Sequence, residues 1–284
     1  MSLQRSSLPG GSKRIADAAM KCVLAAGTSL LLLGASSPVA HCAEAADLIN
    51  EALAFRTVIK DQTAPAGIAS LIKLGDVTTT FVDDLAARGV THFLIDFDWT
   101  FDYRYKILER HGGRQLKLTA ENIKPKITLR HVVRMPRSYY RSSVWESQLM
   151  RHEFDHVAAS ADPRPLLLLR HLLRSISVID HALQATGKPS SELCSKLINA
   201  ELNRREQAVS ALIRANYELL DKVSKHGTLR VPNRNAFFAR LYTKPNLEEM
   251  RFPFVKEVVH LLETDVYRLA KLPHLAADPT EPAR

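Results

Sequence analysis

Residues 149–163 read LMRHEFDHVAASADP and carry His152, Glu153 and His156 in an H-E-x-x-H arrangement. On a helix, positions i and i+4 share a face, so the two imidazoles can reach one cation. Such a pair, with a third protein ligand and one position left to water, is the donor set of a hydrolytic zinc site. The cation lowers the pKa of its water, and a carboxylate beside the first histidine can take that proton and later return it to a leaving amine. The spacing therefore predicts Zn2+ as cofactor, His152 and His156 as metal ligands and Glu153 as general base. Trp145, Leu149, His152 and His156 also follow an i, i+4, i+7, i+11 stripe, which turns the histidines to a buried face. Two buried imidazoles beside a carboxylate are costly unless something pairs with them.

The motif leaves the third ligand open. Asp162 stands ten residues after His152, the spacing of H-E-x-x-H-x-x-G-x-x-D sites, but Ala159 occupies the place of the turning glycine. In a continuing helix Asp162 would point away from His152, and Pro163 and Pro165 make it equally readable as a helix-end residue. His171, Asp180 and His181 lie on the next apolar segment, and His226 precedes Gly227 at the end of a long helical stretch. Cys22 and Cys42 fall in or beside an N-terminal leader, which leaves Cys194 alone. A metal must then be held by histidine and carboxylate.

The elements that must position these groups are legible from periodicity. Helices are expected over 46–60 and over 80–88, the latter opened by a Thr80/Asp83 capping box. Phe93, Ile95, Phe97, Trp99, Phe101, Tyr103, Tyr105 and Ile107 alternate with polar residues, a strand with one aromatic, buried face. His111-Gly112-Gly113-Arg114 signals a turn, QLKLTA a returning strand, and Ile127, Leu129, His131, Val133 and Met135 a third, stopped by Pro136. An antiparallel sheet of at least three strands thus precedes the H-E-x-x-H helix. That helix is expected to open at a Ser143/Glu146 capping box and to close at Pro163 and Pro165. Further helices are expected over about 165–185, 191–225 and 254–271, and the tail from His274 reads as frayed.

Lys13, Arg14 and Lys21 precede the apolar run CVLAAGTSLLLLGA, and Ala43-Glu44-Ala45 fits a small-residue cleavage rule. Residues 1–45 therefore read as a signal peptide, with translation starting at Met1 or Met20, and the product as exported, periplasmic or secreted. About 14 apolar residues are short for a span, so stable membrane insertion is not expected after cleavage; an uncleaved leader would instead anchor the chain. The formal charge of +9 comes from arginines scattered along helices, without the clustered basic and aromatic runs of a nucleic-acid binder. No nucleic-acid partner is expected.

NYELLDKVSKHG, residues 216–227, ends the long helix. Together with Met135-Pro136, Trp145, HEFDH and Cys194, its Asp221-Lys222-Val223-Ser224-Lys225-His226-Gly227 resembles a family of bacterial secreted zinc-dependent proteases long classed as a domain of unknown function. In that family a strand ending near a proline leads to a Trp-containing H-E-x-x-H helix, and a long helix with a cysteine closes in D-x-x-T-x-H-G. The resemblance covers roughly residues 90–227; Ser224 replaces the threonine, and Leu220 stands where the family has a tyrosine. It implies His226 as third zinc ligand and Asp221 as a residue orienting it or a neighbour. The expected fold class is α+β and zincin-like: a metallopeptidase domain over 46–227 and a helical extension over 228–284. The expected activity is hydrolysis of peptide bonds in a peptide or protein substrate, extended beside the sheet edge. The rival readings are a zinc amidase acting on cell-wall material and a non-catalytic exported binding protein with a structural or lost metal site.

Overall fold

The computed structural model describes residues 22–25, 64–140 and 144–272, apart from positions 84, 86, 87, 111, 112, 185, 186 and 271. The helix expected over 46–60, the cleavage region at 43–45 and the tail from 273 lie outside the described residues. The elements run β1 (Cys22–Ala25), α1 (Ala66–Gly75), β2 (Val77–Val82), β3 (Val90–Arg110), β4 (Gly113–Pro136), α2 (Gln148–Ser160), α3 (Pro163–Arg174), β5 (Ile179–Leu183), α4 (Ser191–Ser224), α5 (Arg234–Arg240), α6 (Lys244–Glu249), α7 (Val255–Glu263) and α8 (Asp265–Leu269). The chain is α+β: a sheet in the order β1-β3-β4-β2, with β5 on the far half of β4, carries the helices. Among the described residues, the strand pairings are antiparallel except that of β2 with β4. Among the described residues, no helix is long and apolar enough to cross a membrane.

The sheet differs from the expected three strands in an instructive way. QLKLTA and KITLRHVVRM are one 24-residue strand, β4, paired along its length with β3. The register shifts between Thr100 and Asp102, where Asn122 and Ile123 of β4 face the single residue Phe101. Such a bulge inverts the parity of a strand. Leu116, Leu118 and Ala120 before it and Val133 and Met135 after it all reach the core, although their numbers change from even to odd. Asn122 sits in the left-handed region, φ 52°, which asparagine tolerates better than most residues.

Four other expectations are corrected. Residues 77–82 form a strand, not the start of a helix over 80–88, because β-branched Val77-Thr78-Thr79-Thr80 complete the sheet beside His131–Pro136. The H-E-x-x-H helix opens at Ser147, whose side chain accepts from Met150 N at 3.0 Å, while Val144–Glu146 is a 3-10 turn. The segment 165–185 is helical only to Arg174; Ile179–Leu183 instead extends the sheet against Arg114–Leu118. The single helix expected over 254–271 is divided between α7 and α8, with Thr264 capping the second.

Helix α2 packs on β3 and β4 on one side and on α4 on the other. Its Phe154 and Val157 join Phe93, Ile95, Val133, Leu168, Val209, Ile213 and Tyr217 in the buried core. Residues beyond 227 join the same core through Phe238, Tyr242, Leu247, Phe254 and Val258. The Tyr242 hydroxyl donates to the carbonyl of Ala159 at 2.6 Å, and Asn246 donates to Asn216 at 3.0 Å. The C-terminal helices thus brace the end of α2.

Candidate metal centre

His152, Glu153 and His156 are all buried, at 3%, 2% and 3% exposure. Helix α4 runs beside α2 and brings Asp221, on its last turn, to the histidine pair. His152 Nε2 lies 3.0 Å and His156 Nε2 3.1 Å from Asp221 Oδ1, and the two Nε2 atoms are 3.2 Å apart. Ligands at about 2.0–2.1 Å in a tetrahedron are separated by about 3.3 Å, so these three atoms match one tetrahedral face. The group could hold a metal ion.

The hydrogen bonds behind the donors point the same way. The Ser224 hydroxyl donates to Leu220 O at 2.8 Å, so it offers His152 Nδ1, 3.2 Å away, only a lone pair. Nδ1 then carries the proton, and Nε2 turns its lone pair toward Asp221 and His156. An orienting bond of this kind fixes the metal-binding tautomer of a histidine. His156 Nδ1 is buried and has no hydrogen-bond partner among the described residues. Three lone-pair atoms within 3.2 Å repel one another unless a proton or a cation lies between them. Without a metal, protons fill that role. Burial disfavours charge on His152, but its Asp221 bond, with Glu153, Asp221 and Asp155 nearby, moves its pKa above the ordinary value. Burial would raise Asp221 too, yet the two imidazoles hold its carboxyl well below the usual carboxylate range.

Compared with protein-family models, with curated proteins and with solved structures, the chain matches none.

Glu153 lies on the inner side of the site. Its Oε2 accepts from the Thr91 hydroxyl at 2.7 Å, at the start of β3. Gly89 packs so closely that a Cβ there would collide with the Glu153 carboxylate. Burial pushes the Glu153 carboxyl above its ordinary pKa, against the pull of His156, the Thr91 hydroxyl and His152. Asp155, the variable residue before His156, turns away and pairs with Arg234 at the start of α5.

His226 stands beside this group. Its Nδ1 is 3.8 Å from Asp221 Oδ1 and its side chain is half exposed. It sits in the middle of Lys225, His226 and Gly227, all at positive φ of 48°, 54° and 78°. Two consecutive non-glycine residues in that region are strained, a feature that clusters at functional sites. The turn is pinned by Gly227 N donating to Ser224 Oγ at 3.2 Å, and Gly227 leaves no room for a Cβ, which would come within 2.8 Å of the His152 ring. Asp162, the other sequence candidate, is the N-cap of α3: it accepts from Arg164 N and from the Arg164 guanidinium at 2.7–2.9 Å. His171 Nε2 lies against Glu257 O at 3.2 Å, and Asp180 and His181 belong to β5.

Sequence reasoning gave Asp221 only an orienting role and overlooked Thr91 and Gly89. A signal for Asp221 existed: Tyr217, Asp221 and Ser224 form an i, i+4, i+7 polar stripe on a helix whose neighbouring stripe is apolar.

Proposed function

We propose that the protein is an exported zinc-dependent hydrolase of peptide bonds with a zincin-like core, related to the secreted proteases its motifs resemble. The observation that carries this reading is the convergence of His152 Nε2, His156 Nε2 and Asp221 Oδ1 beside a buried glutamate. His152, His156 and Asp221 hold the ion, and His226 stands next to Asp221 at the exposed side. Zn2+ bound there would supply a Lewis acid that lowers the pKa of water and polarises a carbonyl. Glu153 accepts the proton at Oε1, the oxygen that Thr91 leaves free, and returns it to the leaving amine. Its raised pKa brings it nearer to the pH at which such a transfer is efficient. Ser224 keeps His152 in the binding tautomer. The substrate is a peptide segment extended along the sheet.

Purified protein should contain about one zinc per chain and cleave casein, and Glu153→Gln should retain the metal while losing nearly all cleavage. Turnover of peptidoglycan but not casein would move the reading to a cell-wall amidase. The deep burial of Glu153 favours one further reading, a metal-binding protein without catalysis. Wild-type protein that binds zinc yet cleaves neither substrate would establish it and overturn the hydrolase assignment.

A further inference from the structure

A second polar array lies beneath the metal helix, sealed in the core. His131 on β4 is 1% exposed, Ser160 at the end of α2 0% and Tyr217 on α4 1%. His131 Nδ1 lies 2.6 Å from Gly75 O, His131 Nε2 2.6 Å from Ser160 Oγ, and Ser160 Oγ 2.7 Å from the Tyr217 hydroxyl. The direction of these bonds can be deduced. A carbonyl only accepts, so Nδ1 donates to Gly75 and Nε2 of the neutral ring accepts. The Ser160 hydroxyl also reaches the carbonyls of His156 at 3.1 Å and Val157 at 3.2 Å, but His131 Nε2 at 2.6 Å is the shorter acceptor and takes its proton, so Tyr217 donates to Ser160. The chain runs in one sense from α4 through α2 and β4 to the end of α1, and Gly75 allows its last step, because a Cβ there would meet the imidazole at 2.9 Å.

Its outer end touches the metal centre. The Tyr217 ring tilts against His156 with centroids 4.5 Å apart, and Asp221 follows Tyr217 by one turn of α4. Among the described residues His156 Nδ1 has no hydrogen-bond partner, so the tyrosine face supports the ring alongside the Asp221 contact at Nε2. Apolar side chains of the same volume would fill the core equally well; a directed chain of hydrogen bonds adds register between elements.

We propose that His131, Ser160 and Tyr217 are positioning residues for the metal centre. They lock α2 against α4 and thereby set the spacing of His152 and His156 to Asp221. This rests on the metal reading above. The test is Co2+ binding to the full chain, read as a dissociation constant by chelator competition and as the visible spectrum, alongside the thermal midpoint of metal-free protein. Tyr217→Phe removes one hydroxyl and keeps the ring on His156; His131→Leu removes both ring bonds; His131→Gln can donate to Gly75 and accept from Ser160. Tyr217→Phe and His131→Leu should weaken Co2+ binding by about 10–100-fold and alter the spectrum, with His131→Gln restored toward wild type. Wild-type affinity and spectrum in Tyr217→Phe would overturn the proposal, whatever the change in stability, and would do so even if His131→Leu fails to fold. If the wild-type chain binds no Co2+, the metal reading fails and takes this proposal with it.

Discussion

Asp221 and His226 are five residues apart and differ sharply in what surrounds them. Asp221 Oδ1 meets both imidazole Nε2 atoms, whereas His226 Nδ1 stays 3.8 Å from Asp221 Oδ1 and its side chain is half exposed. Asp221→Ala should therefore abolish stoichiometric zinc, and His226→Ala should keep close to one zinc per chain. Elemental analysis of both variants decides the ligand set, and zinc retained in Asp221→Ala but lost in His226→Ala would restore the histidine as third ligand. Gly227 is a further residue at the site whose type is forced. It combines φ 78° with a Cα packed on the His152 ring, so alanine there meets both strain and collision. Gly227→Ala is expected to destabilise by more than about 1 kcal/mol, read from the urea midpoint, and to weaken metal binding as His152 is displaced.

At the scale of elements, the site depends on how α2 is held. The sheet supports one face, α4 a second, and the helices after residue 227 hold its far end. Asp155, 7% exposed, sits within the H-E-x-x-H motif but belongs to that last contact through Arg234. Burial pushes the Asp155 carboxyl up, against the opposing pull of Arg234, so the carboxylate relies on its cation. Arg234→Met should leave a buried acid without its partner at a cost on the order of 3 kcal/mol, measurable by denaturant unfolding. Arg234→Lys should recover only part of it, because a single ammonium cannot reproduce the contacts of the guanidinium. The bulge at Asn122-Ile123 does similar work for the sheet: it keeps both halves of β4 facing the core while β3 runs opposite without a change of parity.

For the molecule as a whole, buried histidines set the response to acid. Burial holds His131 at about 4, and burial together with Arg134 holds His92 at about 4. An unfolded histidine titrates near 6.5, so between that pH and about 4 the unfolded chain binds protons that the folded chain refuses. Stability is then fully present above about pH 6.5 and declines as pH falls through the window, by up to about 3 kcal/mol for each ring. His152 has the opposite sign in metal-free protein: its raised pKa adds stability at low pH that is lost as pH rises through the folded value. Urea unfolding of metal-free protein at pH 7 and pH 5 should show a net loss on acidification, shallower in His131→Gln. An equal slope in that variant would remove His131 as a source.

Local regularities were legible in the residues themselves. The i, i+4 spacing and apolar stripe of His152 and His156 are properties of one helix, and the alternation of Phe93 to Ile107 is a property of one strand. So was the length of α4, bounded by Ser190 and the turn at Lys225–Gly227. What the residues could not disclose depends on partners far along the chain. QLKLTA and KITLRHVVRM read as two strands because their parity differs, and only continuous pairing with β3 makes a bulge the better solution. Val77–Val82 and Ile179–Leu183 became strands because free edges of β4 were there to receive them. Asp221 joins a group that could hold a metal because the packing of α2 on α4 brings it within 3.1 Å of two imidazoles that precede it by 65 and 69 residues. Periodicity determines which face of an element is buried; which two buried faces meet is decided only by tertiary packing.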